Sequence, residues 1–508
     1  MRKIVYCLIF VVIATCLYSN EATWYKNKVF YEVFVRSFYD TDGNGIGDFN
    51  GVTEKLDYIK SLGVDGIWLM PVFYSPSPHG YDIIDYFKVN PVYGTEDDLI
   101  TLFKEAEKRD IKIILDLVIN HTGKFHEWFK QSDLKVEPYT NFYVWAKEKP
   151  EGEWLSWTKG RKRDEWYYSS FGGGMPDLNF RNLLVREEIK KIAKYWLDKG
   201  AGGFRLDAAR HIIENGPGEL QKDTPETVEW WTEFSQYVKS VKPDALLVGE
   251  VWAGVEQVST YYNGGKGLDL CFDFEGAKAI AKGSSLGSMS DFIDTVNKKK
   301  SLHSPYDFYA PFLSNHDTVR TMNIFSNNFN KAKAAAVLLL TSPGTPFIYY
   351  GEEIGMYQTA TGKGDNGKRT IMQWNVSKNA GFTQGAKLRH DISDNKNPYN
   401  VQFQDKKKDS LLNLYRKLSE LRKKYDGMTS EIYHFIENDA KIISFTKGSD
   451  ENKLLILINQ SDVIKKIEMS DYNGEYTDIL TDKKYVIRGM LAMKKGEIRI
   501  LSMATLKP

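Results

Sequence analysis

The chain has 508 residues, 42% of them hydrophobic and 27% charged, with a net charge of +1. That length exceeds one ordinary domain, and the near-neutral balance excludes the strong field on which a nucleic-acid or acidic-membrane binder depends. Aromatic residues make up 14% of the chain, with 12 Trp and 30 Tyr, which suits an aromatic core and also a protein that lays flat faces on a ligand.

The N-terminus opens with MRK and then the apolar run IVYCLIFVVIATCL. This run is short for a membrane span and has the charged and apolar regions of an export signal, so residues 1–20 read as a leader. IATC, ending at Cys16, resembles a lipoprotein cleavage box, with Thr15 where Gly or Ala is usual. A lipid anchor at Cys16 is the membrane attachment this predicts; free secretion is the alternative. Cys7 and Cys16 lie in the leader and only Cys271 in the body, so no intrachain disulfide is expected in the mature fold.

Eight short apolar runs follow, alternating with amphipathic stretches such as EDDLITLFKEAEKRD and VREEIKKIAKYWLDKG. They are VFYEVFVRSF at 29, GVDGIWLMPV at 63, IKIILDLVIN at 111 and GGFRLDAAR at 202. Next come ALLVGEVW at 245, LDLCFDF at 268, FYAPFLSNHD at 308 and TPFIYYGEE at 345. Strand then helix, eight times, predicts an α/β fold, the (β/α)8 TIM barrel. The barrel occupies 24–121 and 179–428. Residues 122–178, too many for one crossover and rich in Trp, predict an inserted domain after strand 3. Residues 429–508, with short alternating runs between turns, predict a C-terminal antiparallel β domain, a sandwich.

After the first run stands DTDGNGIGD, residues 40–48. Asp40, Asp42, Asn44 and Asp48 occupy positions 1, 3, 5 and 9 of a calcium-loop pattern, and Gly45 the sharp turn at position 6. The bidentate Glu of position 12 is missing, Gly51 taking its place, and the preceding run reads as a strand rather than a helix. A metal clip inside another fold and a metal-free Gly/Asp turn are the two readings. The glycines lack the spacing of a dinucleotide site.

Barrel chemistry sits at the C-terminal strand ends. Strand 3 carries Asp116 and closes with Asn120 and His121; strand 4 carries Arg205 and Asp207, then Arg210 and His211. Strand 5 ends with Glu250 and strand 7 with His316 and Asp317. One acid there is an ordinary helix cap. Several converging acids are costly together unless their pKa values are split for a task, as glycoside hydrolysis requires. A metal-assisted reaction is the rival use, disfavoured by the lack of thiolates and of a close His pair.

At these residues the chain resembles the α-amylase family of glycoside hydrolases. DLVINH (116–121), GFRLDAARH (203–211), GEVW (249–252) and FLSNHD (312–317) stand in the family's order, and MPDLN (175–179) resembles its subgroup between oligo-1,6-glucosidases and neopullulanases. The resemblance implies Asp207 as nucleophile, Glu250 as general acid and base, and Asp317 as the acid that holds sugar hydroxyls. Arg205, two residues before Asp207 and so on its strand face, would keep it ionised. Tyr81, His121, His211, His316, Asp365 and Arg369 are the implied sugar contacts. The loop becomes a calcium site of Asp40, Asp42, Asn44, the Ile46 carbonyl and Asp48.

Family α-glucosidases carry an Asp three residues before the stacking Tyr; here that position is Pro78. The sequence therefore predicts an exported, monomeric α-amylase that cuts α-1,4-glucans internally, with an α-glucosidase or neopullulanase as the alternative. A non-catalytic relative, such as a transporter heavy chain or a sugar-binding protein, is disfavoured because the three acids are all present.

Overall fold

The computed structural model describes residues 23–359, 364–385, 387–393, 396–437 and 441–503. The predicted leader, with Cys7 and Cys16, lies outside them. Among the described residues no helix is long and apolar enough to cross a membrane.

Eight strands form one parallel sheet: β1 (Phe30–Val33), β2 (Gly66–Leu69), β3 (Lys112–Leu117), β4 (Gly203–Leu206), β5 (Leu246–Gly249), β6 (Leu270–Phe272), β7 (Tyr309–Ala310) and β8 (Phe347–Tyr349). They hydrogen-bond in the order β7-β6-β5-β4-β3-β2-β1-β8. The isolated parallel bridge from Phe312 to Phe347 carries the chain just beyond β7 onto β8. Each predicted run contains one strand, and this is the (β/α)8 fold. The ladders are shorter than the runs because the chain leaves the sheet before its apolar residues end, as at Phe34–Val35 after β1 and Val118–Ile119 after β3. β1, β2, β4 and β5 are buried along their whole length, as parallel strands covered on both faces must be.

The chain folds as two compact units, one of residues 23–28, 68–252 and 260–271, the other of 29–67, 253–259 and 272–503. In the first unit β4 lies between β3 and β5, with Arg205 in register with Asp116 on one side and Val248 on the other. The helix Glu96–Glu107 shows why the crossovers form. Thr95 and Asp98 make a reciprocal capping box, and Leu99, Leu102, Phe103 and Ala106 bury one stripe. After β3 the chain enters a three-stranded antiparallel sheet, with Trp166–Tyr168 between Trp145–Ala146 and Trp157–Lys159. Its tryptophans are largely occupied there. Trp128 and Trp157 are buried, Trp145 stacks on Phe129, and Lys149 and Lys159 stand over the Trp166 ring.

In the second unit β1 pairs with β8. Beyond the helix Leu411–Lys424 comes a six-stranded antiparallel sheet, from Tyr433–Phe435 to Ile498–Met503 along the chain, and a two-stranded sheet of Lys465–Glu468 with Met490–Met493. Leu455, Leu457 and Leu501 of the larger sheet share one core with Ile467, Leu491 and Met493 of the smaller, and this is the predicted C-terminal antiparallel β domain.

Candidate active site

In the first unit the site is built around Arg205. Its guanidinium is fully buried. Nη1 lies 2.9 and 3.0 Å from the Asp116 carboxylate oxygens and 2.6 Å from Asp207 Oδ1, and Nη2 lies 2.9 Å from Glu250 Oε2. The strands dictate this meeting. Asp116 faces Arg205 across the ladder, Asp207 is two residues on and therefore on the same face, and Glu250 follows Gly249, the partner of Leu206. Burial opposes the Arg205 charge, but Asp116 and then Glu250 outweigh it and hold its pKa well above the usual arginine value.

Asp116 is fixed from its other side, where Trp68 Nε1 donates to its Oδ2 at 3.2 Å and Tyr81 Oη at 3.3 Å. His121, buried and held neutral chiefly by desolvation, has Nε2 3.1 Å from the Tyr81 carbonyl oxygen. Here His121 and Asp116 hold Tyr81 in place. Directly after Asp207, Ala208 adopts a left-handed conformation, φ 47°, unusual for a residue with a Cβ. The turn directs its N–H to Glu250 Oε2 at 2.9 Å. Strain of this kind, of order 1–3 kcal/mol, persists where surrounding structure enforces it, often at functional sites.

His211 packs edge-on against Phe171, with ring centroids 5.6 Å apart. Burial first, then the Arg210 charge, pushes its pKa down to about 4, so the ring is neutral near pH 7. Among the described residues its buried Nδ1 has no hydrogen-bond partner.

The second unit holds a separate charged cluster. His316 is fully buried, with Nδ1 2.6 Å from Glu32 Oε1 and Nε2 3.0 Å from Asp317 Oδ2. Burial alone would lower its pKa; Asp317 and Glu32 together override burial and raise it to about 10. The ring is thus an imidazolium between two carboxylates. Arg369, almost fully buried, binds Asp317 Oδ1 through Nη2 at 2.6 Å and the His316 carbonyl through Nε at 3.1 Å. Asp365 lies 3.4 Å from the same Nη2 and is about half exposed. Arg369 is therefore placed to orient Asp317. The sequence reading did not single out Glu32. The available signal was one acid in the apolar four-residue strand FYEV.

The 40–48 loop, also in this unit, gathers three carboxylates. One oxygen each of Asp40, Asp42 and Asp48 lies within 4.8 Å of the others, with Asp40 and Asp48 buried. Backbone N–H groups shape the loop: Gly43 and Gly45 donate to Asp40, Asn44 to Asp42, Ile46 to Asn44 Oδ1 and Gly51 to Asp48. Gly45 has φ +87°, and a Cβ there would lie 2.1 Å from the Lys387 carbonyl oxygen, so only glycine fits.

Two expectations follow. Arg205→Met leaves Asp116, Asp207 and Glu250 around a lost charge. Removing one member of a buried ion cluster costs about 3–5 kcal/mol, so the melting temperature should fall sharply at pH 7. For His316, the folded pKa lies above the unfolded value. Its stabilisation is therefore complete below the unfolded pKa of about 6.5 and lost as pH rises toward 10. Denaturant titrations between pH 7 and 10 should show a decline in stability of up to one proton's slope, which His316→Gln removes.

A family model for the alpha amylase catalytic domain matches residues 32–431. Alpha-amylase 3 of Dictyoglomus thermophilum is 39% identical over 505 residues, 96% of each chain. An oligo-1,6-glucosidase of Heyndrickxia coagulans is 33% identical, covering 90% of this chain and 96% of its own. The crystal structure of an alpha-amylase from H. orenii superposes with a TM-score of 0.80 at 36% identity, over 94% of this chain and 99% of that one. With the charged strand ends of the (β/α)8 sheet in place, these matches show that the chain belongs to the α-amylase family and is a glycoside hydrolase.

Proposed function

We propose that the chain is a retaining, endo-acting α-1,4-glucan hydrolase, an α-amylase acting on starch-type polysaccharides and maltooligosaccharides. The observation that carries the chemistry is one guanidinium shared by Asp116, Asp207 and Glu250. Asp207 and Glu250 are both held on that guanidinium, which brings two carboxyl groups from neighbouring strand ends together. Retaining hydrolysis needs such a pair.

In the proposed reaction Asp207 attacks the anomeric carbon while Glu250 gives its proton to the departing glycosidic oxygen. The C1–O bond to the leaving sugar breaks as the ester bond to Asp207 forms. Glu250, now a base, takes a proton from water; the water oxygen bonds to C1, and the Asp207 carboxylate leaves. Arg205 keeps Asp207 in line, and the Ala208 N–H orients Glu250. Asp317, oriented by His316 and Arg369, holds sugar hydroxyls. Tyr81 stacks beneath the sugar, with His121 securing it, and His211 offers a neutral ring beside the same sugar.

Endo action rests on Pro78. It is exposed and places no acid three residues before Tyr81 to seal the non-reducing end of the site. The second reading, an α-glucosidase or cyclomaltodextrinase-type enzyme, draws on the similarity to oligo-1,6-glucosidase and on the Asp365–Arg369 pair.

We further propose that the 40–48 loop holds Ca2+. The donors fit: Asp40, Asp42 and Asp48 offer converging hard oxygens, and Asn44, bonded to Asp42, and the Ile46 carbonyl are the further proposed ligands. Bound calcium would offset their mutual repulsion and stabilise the native loop. The leader-like N-terminus supports export, with Cys16 as a lipid-anchor candidate.

Asp207→Asn is nearly isosteric but a poor nucleophile. Its kcat should fall about 10^4-fold or more while glucan binding survives; near-normal turnover by a pure preparation removes Asp207 from the role. On soluble starch, viscosity and iodine colour should fall well before reducing ends accumulate, and NMR should find α-anomers first. Glucose released alone from the first minutes replaces this reading with the α-glucosidase.

A further inference from the structure

The 40–48 loop and the Asp317 cluster belong to the same unit, and a short run of buried hydrogen bonds joins them. Ser37, fully buried, stands three residues before Asp40. Its Oγ donates to the Arg369 carbonyl at 2.8 Å, and its own carbonyl accepts from Met372 N–H at 2.7 Å. Ser37 thus grips both ends of the four residues that begin with Arg369, the side chain that fixes Asp317 Oδ1.

The loop itself is bonded to the continuation of that segment. Asp40 N–H donates to the Phe382 carbonyl at 3.0 Å, Arg389 N–H to the Gly45 carbonyl at 3.2 Å, and Trp374 Nε1 to the Phe38 carbonyl at 2.9 Å. Where Gly43 meets Gly385 the main chains touch, and a Cβ on Gly385 would lie 2.0 Å from the Gly43 carbonyl oxygen. Gly47 N–H and Asp48 N–H then return to the carbonyls of Arg36 and Tyr39, at 2.8 and 3.1 Å, which closes the loop onto the stretch containing Ser37.

We infer that Ser37 is a positioning residue that couples the loop cation to substrate: calcium in the 40–48 loop and a glucan held at Asp317 strengthen each other's binding. This rests on the proposed calcium loop and on Asp317 as a sugar-holding acid. The physical basis is a single element biased from both ends. Without a cation, three carboxylates within 4.8 Å repel one another and loosen the loop that holds the 369–389 segment. With a cation the loop is fixed, Ser37 holds the Arg369 backbone, and the guanidinium keeps Asp317 oriented for sugar hydroxyls. A glucan engaging Asp317 favours the same arrangement from the other side. Binding coupling is reciprocal by thermodynamic necessity.

The test uses the full-length Asp207→Asn protein, so that sugar is not consumed. Calcium is removed with a chelator, the chelator is dialysed away, and Ca2+ is titrated calorimetrically with and without saturating maltotetraose. The expected result is a calcium affinity about fivefold or more tighter with sugar present. Adding Ser37→Ala should leave calcium binding without sugar near its starting value and abolish the enhancement, a pattern that general destabilisation does not produce. Should that variant fold poorly, Gly385→Ala, which separates the loop from the same segment, should weaken calcium binding and reduce the enhancement. Calcium affinity indifferent to sugar, or an enhancement unchanged by both substitutions, overturns the coupling and leaves the calcium loop standing. Absence of calcium binding, or binding that survives Asp42→Ala with Asp48→Ala, removes the calcium loop and the coupling with it.

Discussion

A buried guanidinium against three carboxylates is the constraint around which the first unit is organised. Taking Arg205 and its partners out of water costs several kcal/mol per ion, and the attraction repays this only where geometry is close. The ladder supplies that geometry: Asp116 in register across from Arg205, Asp207 two residues beyond it, and Glu250 at the end of the next strand. None of these positions can shift by one residue without turning the side chain to the opposite face. Trp68, Tyr81 and the left-handed Ala208 then fix what the strands have brought together.

The Asp317 cluster solves the same problem differently. There a buried imidazolium lies between Glu32 and Asp317, and Arg369 holds Asp317 from another side. Asp317 meets two cationic partners, whereas Asp116, Asp207 and Glu250 divide one. That difference matches the division of labour proposed for them. An acid that only holds hydroxyls benefits from firm anchoring, while a nucleophile and a proton donor must exchange charge during the reaction.

Much of this was legible in the sequence, for identifiable reasons. Parallel strands buried on both faces leave unbroken apolar runs, so all eight could be placed, and polar residues at the ends of those runs stood out as Asp207, Glu250, His316 and Asp317. The limits of the strands were not legible, because runs such as VFYEVFVRSF and IKIILDLVIN stay apolar for a few residues after they have left the ladder. Glu32 was passed over because an acid inside FYEV shows its purpose only once His316 is seen beside it. Arg369 was read as a sugar contact; its burial and its bond to Asp317 depend on a fold that brings residues 52 apart together. The tryptophans of 122–178 could equally have been ligand surface or core. Stacking and packing within that segment occupy most of them, an outcome composition cannot reveal.

The proposed catalysis depends above all on Asp207 as a covalent nucleophile beside Arg205. The direct measurement is to incubate the enzyme with a 5-fluoro-α-glucosyl fluoride, whose ring fluorine slows both steps while its activated leaving group keeps the first faster than the second, and to map the product by peptide mass spectrometry. One fluoroglucosyl unit esterified to Asp207 is predicted, absent when Asp207→Asn is used. An unmodified chain after inactivation, or a label carried by Glu250 in place of Asp207, contradicts it.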